Sequence, residues 1–388
     1  MKQCIDRSWT LLMLFVMLLC LGMAMLFPNE VNAYENRPAY QMPALHFDAL
    51  LSGDFQDALE QMLSDQIPGS ELLEKEYHKR SNGLTLNLMH TVAGELIEQP
   101  IAFQGMEFYD SDYILYPTVW LDMRQDALDR KTQNYNALIA AHPELVFFVY
   151  YIEKDTDIDF PSGTRTGVSD YVLQHLELPE DHKAAFQVQS FSDFQNWFYK
   201  TDHHWNYEGS YQGYRQVMAL LGRTDLLLPD GPDFIAGGMS GSKALLSGTK
   251  ELITEDFYAY RYDFPPMEIT INGKTVSDYG NQNGTYEAGA ISYGAFYGGD
   301  DGEICFRTQN EGAGNLLVIG ESFDNALLKL LASGFENTCS IDLRNYEQDT
   351  GRPFYFSAYV TEHNIDTVLF IGNMDFYSMD EFLLEDGA

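Results

Sequence analysis

Two short polar segments of this 388-residue chain carry residue types that can activate a nucleophile. The first is Thr201-Asp202-His203-His204-Trp205-Asn206, and the second is Gly320-Glu321-Ser322-Phe323. An Asp two residues before a His can hold the imidazole in one tautomer, and that imidazole can then accept the proton of a serine hydroxyl. A hydrogen-bonded structural pair of histidines is the competing interpretation. We expect Trp205 to form a wall of the site rather than to take part in chemistry.

Ser322 stands at the position where open α/β sheets bind ligands, directly after an apolar strand pattern and at the start of a helical pattern. Backbone N–H groups and the helix dipole favour a developing oxyanion at such a junction. The alternative is that Ser322 only caps the helix, because serine is a preferred N-cap residue. G-x-S by itself is a weak pattern, so this fragment leaves both interpretations open.

The elements that must position these residues alternate over residues 315–373. The stretches NLLVIG, NTCSIDLRN and IDTVLFIGN are typical of strands, and FDNALLKLLASGF and RPFYFSAYVTEHN between them are typical of helices. This alternation predicts a parallel sheet with right-handed crossovers. Upstream, a helical pattern over 117–141 leads into LVFFVYYI at 145–152, which predicts a buried strand. The predicted fold class is therefore α/β, a parallel sheet flanked by helices.

Residues 255–314 differ in character from their surroundings, since they are rich in Gly, Tyr and Asn. Within them ITINGKTV predicts a strand, an Asn-Gly turn and a second strand. We interpret this stretch as a β-rich region inserted in one catalytic domain that spans 34–388.

The charge balance argues against one class of partner. The chain has 23 Lys and Arg against 58 Asp and Glu, a formal net charge of −35. Such a surface repels the phosphates of nucleic acid, and a strongly anionic polymer is equally disfavoured unless divalent cations intervene. The alternative explanation for the acidity is solubility alone.

The N-terminus predicts export. Lys2 and Arg7 precede an uncharged run over 9–27, which at about 1.5 Å per residue is close to the thickness of a bilayer core. The basic flank places the chain after residue 27 outside the cytoplasm. Val31-Asn32-Ala33 resembles a cleavage site, so residues 1–33 are either a removed signal peptide or a retained membrane anchor, and we favour the anchor.

Cysteine and metal patterns are sparse in the exported part. It contains Cys305 and Cys339, which an extracytoplasmic location would allow to form a disulfide, although the sequence leaves this open. Asp-His-His also marks metal-dependent phosphoesterases, and Asp155, Asp157 and Asp159 alternate. This run lacks the Gly and terminal Glu of an EF-hand loop. We therefore expect neither a metal nor another cofactor.

The two polar segments together resemble the DHHW family, SGNH hydrolase-like relatives of the alginate O-acetylation proteins. The name motif is intact at 202–205, and VIGESFDNALLKLLASGF resembles the strand, G-[DE]-S and helix of the family's nucleophile segment. CSIDLRNY and IDTVLFIGN resemble its later strands, and ENRPAY and DQIPGSELL its N-terminal signatures. The likeness covers most of the chain. It implies an SGNH-like fold.

The resemblance also implies roles for residues. Ser322 would be the nucleophile, His204 the base and Asp202 the residue that orients it, with His203 as a supporting neighbour and Trp205 beside the substrate. H-x-N-x-x-G, formed by His204, Asn206 and Gly209, resembles the turn after the catalytic His of SGNH hydrolases. Position 321 departs from the usual pattern, because Glu stands where a GDS block has Asp.

Two further residues follow the later strands of the predicted sheet. Asn373 stands where an SGNH-type site places the side-chain donor of its oxyanion hole, and an ordinary turn Asn is the alternative. Arg344 lies at the same predicted sheet edge, where it could contact substrate or form a surface ion pair.

The function that these expectations favour is an extracytoplasmic O-acetyltransferase. It would acetylate an envelope polysaccharide or exopolysaccharide through an acetyl-serine, with a membrane-bound O-acyltransferase as the partner that the resemblance implies. The same three residues with water as acceptor would make an acetyl esterase. A non-catalytic glycan-binding or assembly protein is the alternative from another class.

Overall fold

The computed structural model describes residues 11–13, 15–16, 18–19, 22, 26, 28–32, 37–41, 47–67, 69–93, 100–109, 113–282 and 291–386. Contacts divide the chain into two compact units, Met1–Val92 and Ala93–Ala388. The predicted boundary after residue 33 stays a prediction, because Ala33 and much of the apolar segment 9–27 lie outside the described residues. Within the residues described, no helix is both long and apolar enough to cross a membrane.

The described part of the first unit is mainly helical. The described residues between 11 and 26 are helical. The elements that follow are β1 (Val31–Asn32), β2 (Arg37–Pro38), α1 (Phe47–Ser52), α2 (Asp54–Gln66) and α3 (Ser70–Ala93), with β1 and β2 antiparallel. Asp65, near the end of α2, is buried and accepts hydrogen bonds from Asn32 Nδ2 at 2.9 Å and from the Tyr40 N–H at 2.7 Å. These bonds join the strand segment to α2.

The second unit carries the predicted site. Its described strands are β3 (Ile101–Phe103), β4 (Met106–Tyr109), β5 (Tyr113–Leu115), β6 (Val146–Ile152), β7 (Ile158–Asp159), β8 (Thr164–Arg165), β9 (Lys183–Phe186), β10 (Asp233–Met239), β11 (Glu255–Tyr260), β12 (Glu268–Ile271), β13 (Lys274–Val276), β14 (Glu303–Arg307), β15 (Asn315–Ile319), β16 (Asn337–Ile341) and β17 (Thr367–Gly372).

The described helices of this unit are α4 (Gln125–Ala141), α5 (Val168–His175), α6 (Phe191–Trp197), α7 (Tyr207–Leu220), α8 (Ser242–Leu246), α9 (Tyr293–Tyr297), α10 (Asn325–Ala332), α11 (Tyr346–Thr350), α12 (Phe356–Glu362) and α13 (Met374–Ser378). Single 3₁₀ turns cover Leu121–Met123, Asp155–Asp157, Glu180–His182, Thr224–Leu226 and Asp380–Phe382. The helix expected over 117–141 therefore begins only at Gln125, because the Val119 N–H is bonded to the Thr156 carbonyl at 3.0 Å.

The main sheet has the strand order β13-β12-β14-β16-β15-β17-β6-β9. Strands β16, β15, β17, β6 and β9 are parallel, whereas β14, β12 and β13 continue the sheet in antiparallel pairs. The predicted α/β class with a parallel sheet is confirmed, as the central part of a larger mixed sheet. Parallel strands end at one shared edge, so the residues that follow them can form a single site.

Helices cover both faces of the parallel part, because its strands are apolar at successive positions. On one face Phe148 and Val318 pack with Tyr214 of α7. On the other face Phe147 packs in a cluster that includes Tyr135 of α4. Burying each large apolar side chain contributes about 1.5–3 kcal/mol to the free energy of folding. This packing stabilises the sheet whose strand ends carry the site.

The predicted β-rich region contributes to the main sheet. The Asn-Gly hairpin is confirmed: Asn272 and Gly273 have φ of 50° and 74°, as a type I′ turn requires, between β12 and β13. Cys305 of β14 faces Cys339 of β16, and the two form a disulfide. The bridge that the sequence left open thus links the antiparallel extension to the parallel core.

Candidate active site

Strand ends bring the chemically active side chains to one edge of the sheet. Ser322 follows β15, Arg344 follows β16, Asn373 follows β17 and Lys154 follows β6. These four residues are far apart in the chain, and the shared direction of the parallel strands places them at the same edge. This is the edge at which open α/β sheets bind ligands.

Ser322, His204 and Asp202 form a continuous chain of hydrogen bonds. Ser322 Oγ lies 2.8 Å from His204 Nε2, across 118 residues of sequence. His204 Nδ1 lies 2.6 Å from Asp202 Oδ1. The carboxylate and imidazole are buried, and Ser322 is partly exposed. The Ser322 hydroxyl faces the His204 imidazole. It does not cap helix α10, because that helix begins at Asn325 and its N-cap residue is Asp324.

Backbone donors hold the Asp202 carboxylate in place. Its Oδ2 accepts the Ser242 N–H at 2.8 Å, and its Oδ1 accepts the His204 N–H at 3.1 Å. Burial tends to raise the pKa of Asp202, but His204, His203 and these donors outweigh it, so the pKa lies well below its ordinary value. The carboxylate therefore stays ionised and can orient the imidazole. Gly241 is required here, because a Cβ at that position would lie 2.3 Å from Asp202 Cβ.

The turn after His204 has a structural explanation. Asn206 caps α7, since its side-chain oxygen accepts the N–H groups of Glu208 and Gly209 at 3.0 and 2.9 Å. A Cβ on Gly209 would lie 2.1 Å from the Trp197 carbonyl oxygen. The spacing H-x-N-x-x-G thus fixes the direction in which the chain leaves His204.

An aromatic shell surrounds the imidazole. The Tyr293 ring stacks on His204 with the centroids 3.8 Å apart and the planes 1° apart, and the Phe323 ring lies 5.0 Å away. Trp205, which was expected beside the substrate, is instead completely buried. Its indole N–H donates to the Phe323 carbonyl at 3.1 Å. Trp205 is therefore packed against Phe323, the residue after Ser322, and forms no exposed wall of the site.

His203 lies beside the chain of hydrogen bonds without belonging to it. Its Nδ1 is 2.6 Å from Ser242 Oγ, and its ring is 3.8 Å from the His204 ring. Burial and the neighbouring His204 place the pKa of His203 well below its ordinary value, so this ring stays neutral. His203 contacts both His204 and Ser242, whose backbone holds Asp202.

Glu321 and Asn373 form a buried pair next to Ser322. Asn373 Nδ2 donates to Glu321 Oε1 at 2.9 Å, and the other carboxyl oxygen lies 3.2 Å from Ser322 Oγ. Asn373 also caps α13, where its side-chain oxygen accepts the Asp375 N–H at 2.7 Å. Burial raises the pKa of Glu321, and the positive charge of Lys154 opposes this. The longer acid at position 321 therefore reaches both Ser322 and Asn373, the residue expected to be the oxyanion donor.

Arg344 forms ion pairs at the sheet edge. Its Nε donates to Asp342 Oδ1 at 2.9 Å, and its Nη2 donates to Asp300 Oδ2 at 3.0 Å. Of the two expected roles, the ion pair is the one that the substrate-free geometry contains.

Three residues around the site were not singled out from the sequence. Tyr293 stacks on His204, Ser242 contacts both Asp202 and His203, and the buried Lys154 pairs with Asp375 at 3.3 Å. Only Tyr293 carried a signal, since ISYGAFYGG is aromatic-rich, but nothing local to that stretch indicates which ring contacts His204.

A metal would compete with contacts already made. Asp202, His203 and His204 offer ligand atoms within 4.8 Å of one another. Both ring nitrogens of His204, however, face the carboxylate and the serine hydroxyl. In the alternating Asp run, Asp155 pairs with the buried Lys243 at 2.7 Å. The arrangement fits proton transfer to and from Ser322 better than metal ligation.

Part of this chain matches a family model, and its fold resembles those of solved structures. The family model described as DHHW protein matches residues 186–341. Bacillus cereus PatB1 with a sulfonyl adduct is 20% identical and has a TM-score of 0.56, covering 72% of this chain and 97% of that one. A DHHW family protein from Eubacterium siraeum is 13% identical with a TM-score of 0.56, covering 74% and 96%.

A weaker structural likeness extends beyond these proteins. The O-acetyltransferase domain of Pseudomonas putida AlgJ is 9% identical with a TM-score of 0.40, covering 71% of this chain and 93% of that one. No curated protein sequence matches the chain. The predicted resemblance is confirmed: the segment that holds Asp202, His204 and Ser322 matches the DHHW family, on a fold shared with the DHHW protein of Eubacterium siraeum.

Proposed function

We propose that this protein is an extracytoplasmic, serine-dependent O-acetyltransferase that acts on an envelope polysaccharide or exopolysaccharide. The observation that carries the proposal is the relay from Asp202 to His204 to Ser322, with contacts of 2.6 and 2.8 Å. In that arrangement a serine hydroxyl loses its proton to an oriented imidazole as it attacks an acyl carbon.

In the first half-reaction Ser322 Oγ attacks the carbonyl carbon of an acetyl ester, and its proton moves to His204 Nε2. The tetrahedral oxyanion collapses, the donor C–O bond breaks, and His204 returns the proton to the departing alkoxide. The products are acetyl-Ser322 and the donor alcohol. The Ser322 backbone N–H and the second amide hydrogen of Asn373 Nδ2 are the groups that we assign to the oxyanion.

The second half-reaction repeats these steps with a sugar hydroxyl. His204 takes the hydroxyl proton as the sugar oxygen attacks acetyl-Ser322, and the proton then returns to Ser322 Oγ. Water in place of the sugar would release acetate, so the same residues would make an acetyl esterase. The choice depends on how well the site excludes water.

Two observations support the location and the chemistry. Lys2 and Arg7 before an apolar run favour export, and we propose a membrane-bound O-acyltransferase as the partner that supplies the acetyl group. PatB1 was captured with a sulfonyl adduct. By analogy, we propose Ser322 as the group that an arylsulfonyl fluoride would modify in this chain.

The test combines labelling with product analysis. The full chain is treated with an arylsulfonyl fluoride, and the modified residue is identified by peptide mass spectrometry. Separately, 4-nitrophenyl acetate is supplied with a neutral oligosaccharide, and acetylated sugar is measured against free acetate. We expect label on Ser322, and a loss of turnover of about 10⁴-fold or more in Ser322→Ala.

Ser162→Ala is the matched control, because Ser162 is exposed and lies outside the site. It should keep full labelling and turnover. Acetylated sugar as the main product supports the transferase, and acetate alone supports the esterase. If Ser322 is unlabelled and neither the wild type nor Ser322→Ala turns over the ester, the non-catalytic binding role replaces both. Equal turnover by the two proteins would assign the activity to a residue other than Ser322.

A further inference from the structure

A continuous series of tyrosine rings runs along α7 and β11 and includes Tyr262, two residues beyond β11. The series is exposed at Tyr258, and at Tyr211 and Tyr262 it packs against the core. Tyr207 contacts Tyr258 and Tyr260, with ring centroids 5.8 and 4.8 Å away. Tyr211 extends the series, with centroids 5.7 Å from Tyr260 and 6.2 Å from Tyr262. We call these five residues the tyrosine strip.

The alternation of β11 turns part of this strip toward solvent. Phe257 and Ala259 point into the core and are buried, so Tyr258 and Tyr260 lie on the opposite face of the strand. Tyr258 is 36% exposed. Packing in the core explains why position 257 is aromatic, but it does not explain why the outward positions 258 and 260 are tyrosines.

The strip starts next to the active site and leads away from it. Glu255, the first residue of β11, accepts the Thr201 N–H at 2.8 Å, directly before Asp202. At about 3.3 Å per residue, Tyr258 and Tyr260 lie roughly 10 and 17 Å further along the strand. Tyr207 follows His204 by three residues, so their Cα atoms are within about 11 Å.

The charged side chains around the tyrosine strip indicate which kind of sugar it would bind. Glu208 accepts the Tyr207 hydroxyl at 3.0 Å, and Asp230 and Asp233 lie near Tyr260. Burial and these carboxylates raise the pKa of Tyr207 and of Tyr260, so both side chains stay uncharged. Arg215 is a cation near Tyr211, whereas the carboxylates of Glu208, Asp230 and Asp233 lie near Tyr207 and Tyr260 and repel uronate and phosphate groups there. Aromatic faces with hydroxyl donors suit the C–H faces and hydroxyls of uncharged sugars.

We propose that the tyrosine strip binds a run of uncharged sugar residues and holds the polysaccharide with one hydroxyl within reach of Ser322. The role of that glycan as acetyl acceptor rests on the proposed function, whereas glycan binding by the strip does not. The strip would act on affinity and leave the chemical step unchanged.

The test separates binding from chemistry. The double variant Tyr258→Ala/Tyr260→Ala is compared with Tyr355→Ala, which removes a tyrosine that is 42% exposed outside the strip. Calorimetry measures binding of the hexasaccharide of N-acetylglucosamine and of a hexagalacturonate. The acetyl-transfer KM for the neutral sugar and the hydrolysis of 4-nitrophenyl acetate are measured in parallel.

We expect the double variant to bind the neutral hexasaccharide about tenfold more weakly or worse, with a matching rise in KM. Its 4-nitrophenyl acetate hydrolysis should equal that of the wild type, Tyr355→Ala should change nothing, and the anionic sugar should bind more weakly than the neutral one. Unchanged affinity in the double variant, or tighter binding of the anionic sugar, overturns the strip as a neutral-glycan site. A third outcome is that the wild type shows no acetyl transfer but binds the hexasaccharide, and that the double variant binds it more weakly. This result would overturn only the enzymatic proposal.

Discussion

The Ser322 hydroxyl has one proton and two neighbours that can accept it. His204 Nε2 lies at 2.8 Å and Glu321 Oε2 at 3.2 Å. An ionised Glu321 would compete for the proton and place negative charge beside the oxyanion, whereas a protonated Glu321 would donate to Ser322 Oγ. Burial raises the pKa of Glu321 against the influence of Lys154, which favours the protonated form at the site.

Glu321→Gln tests this at the residue scale, because Gln resembles the protonated acid and can still accept from Asn373 Nδ2. We expect kcat within about threefold of the wild type. The wild type should lose activity as pH rises through the raised pKa of Glu321, and the variant should lack that step. The measurement is the pH profile of 4-nitrophenyl acetate hydrolysis. A loss of about a hundredfold or more in the variant would mean that the ionised carboxylate is required.

At the scale of elements, the site depends on where α7 begins. The loop before it is bonded at both ends: Glu255 binds the Thr201 N–H at 2.8 Å, and Asn206 caps the helix. Between these two anchors lie the Asp and the His of the relay. The close approach of α6 to α7 at Gly209 sets the angle between loop and helix.

Gly209→Ala should disturb that approach, since the new Cβ would lie 2.1 Å from the Trp197 carbonyl oxygen. Overpacking against backbone costs about 1–3 kcal/mol of unfolding free energy, and the shift of α7 should also lengthen the contact between His204 and Ser322. Chemical denaturation and kcat measure the two effects. Gly238→Ala is the control, because a Cβ there meets nothing within 4 Å. Equal stability of the two variants would contradict the packing argument.

At the scale of the whole molecule, the disulfide joins two parts of the main sheet. Cys305 and Cys339 close a loop of 34 residues between β14 and β16. Neither strand provides a residue of the Asp202–His204–Ser322 relay. Stability and catalysis should therefore respond differently to loss of the bridge.

Replacing both cysteines with serine should lower the unfolding free energy by about 3 kcal/mol, through the greater freedom of the unfolded chain. Hydrolysis of 4-nitrophenyl acetate at about 25 °C should remain within about twofold, because the relay is built on other elements. Thermal unfolding and steady-state kinetics on the same sample measure both. A large loss of activity with no change in stability would show that the bridge supports the site directly.

A buried acid should also give stability a distinctive pH dependence. Burial raises the pKa of Asp157 to about 7 from its ordinary value of 3.8, although Tyr151 donates to it at 2.7 Å. Because the folded state holds this proton more tightly, its stabilising effect is complete below about pH 4 and is lost as pH rises toward 7.

The measurement is the unfolding free energy across that pH range. Asp157→Asn should flatten the slope by up to one proton, about 1.4 kcal/mol per pH unit. The amide nitrogen of the introduced asparagine cannot accept the hydrogen bond that the Lys154 N–H donates to Asp157. This loss lowers the stability of the variant equally at every pH, so it does not affect a comparison of the two slopes. Identical slopes for the two proteins would assign the pH dependence to other groups.

Much of the scaffold could be predicted because its signals are local. The apolar runs 145–152 and 315–320 indicate buried strands, and the Asn-Gly pair at 272–273 indicates a hairpin, all of which the structure contains. Strand ends followed by polar residues likewise place Ser322 and Asn373 at one sheet edge. Hydrophobic period and turn chemistry act over a few residues, so a sequence displays them directly.

By itself the sequence determined which residues could do chemistry and which strands could carry them. Only the tertiary structure decided that Ser322 contacts His204 across 118 residues, that Asn373 donates a hydrogen bond to Glu321, and that Trp205 is buried. These contacts join loops from different strand ends, and their distances depend on strand order and on helix packing across the sheet. No periodicity within a segment encodes such an arrangement, because it is a property of the packed whole.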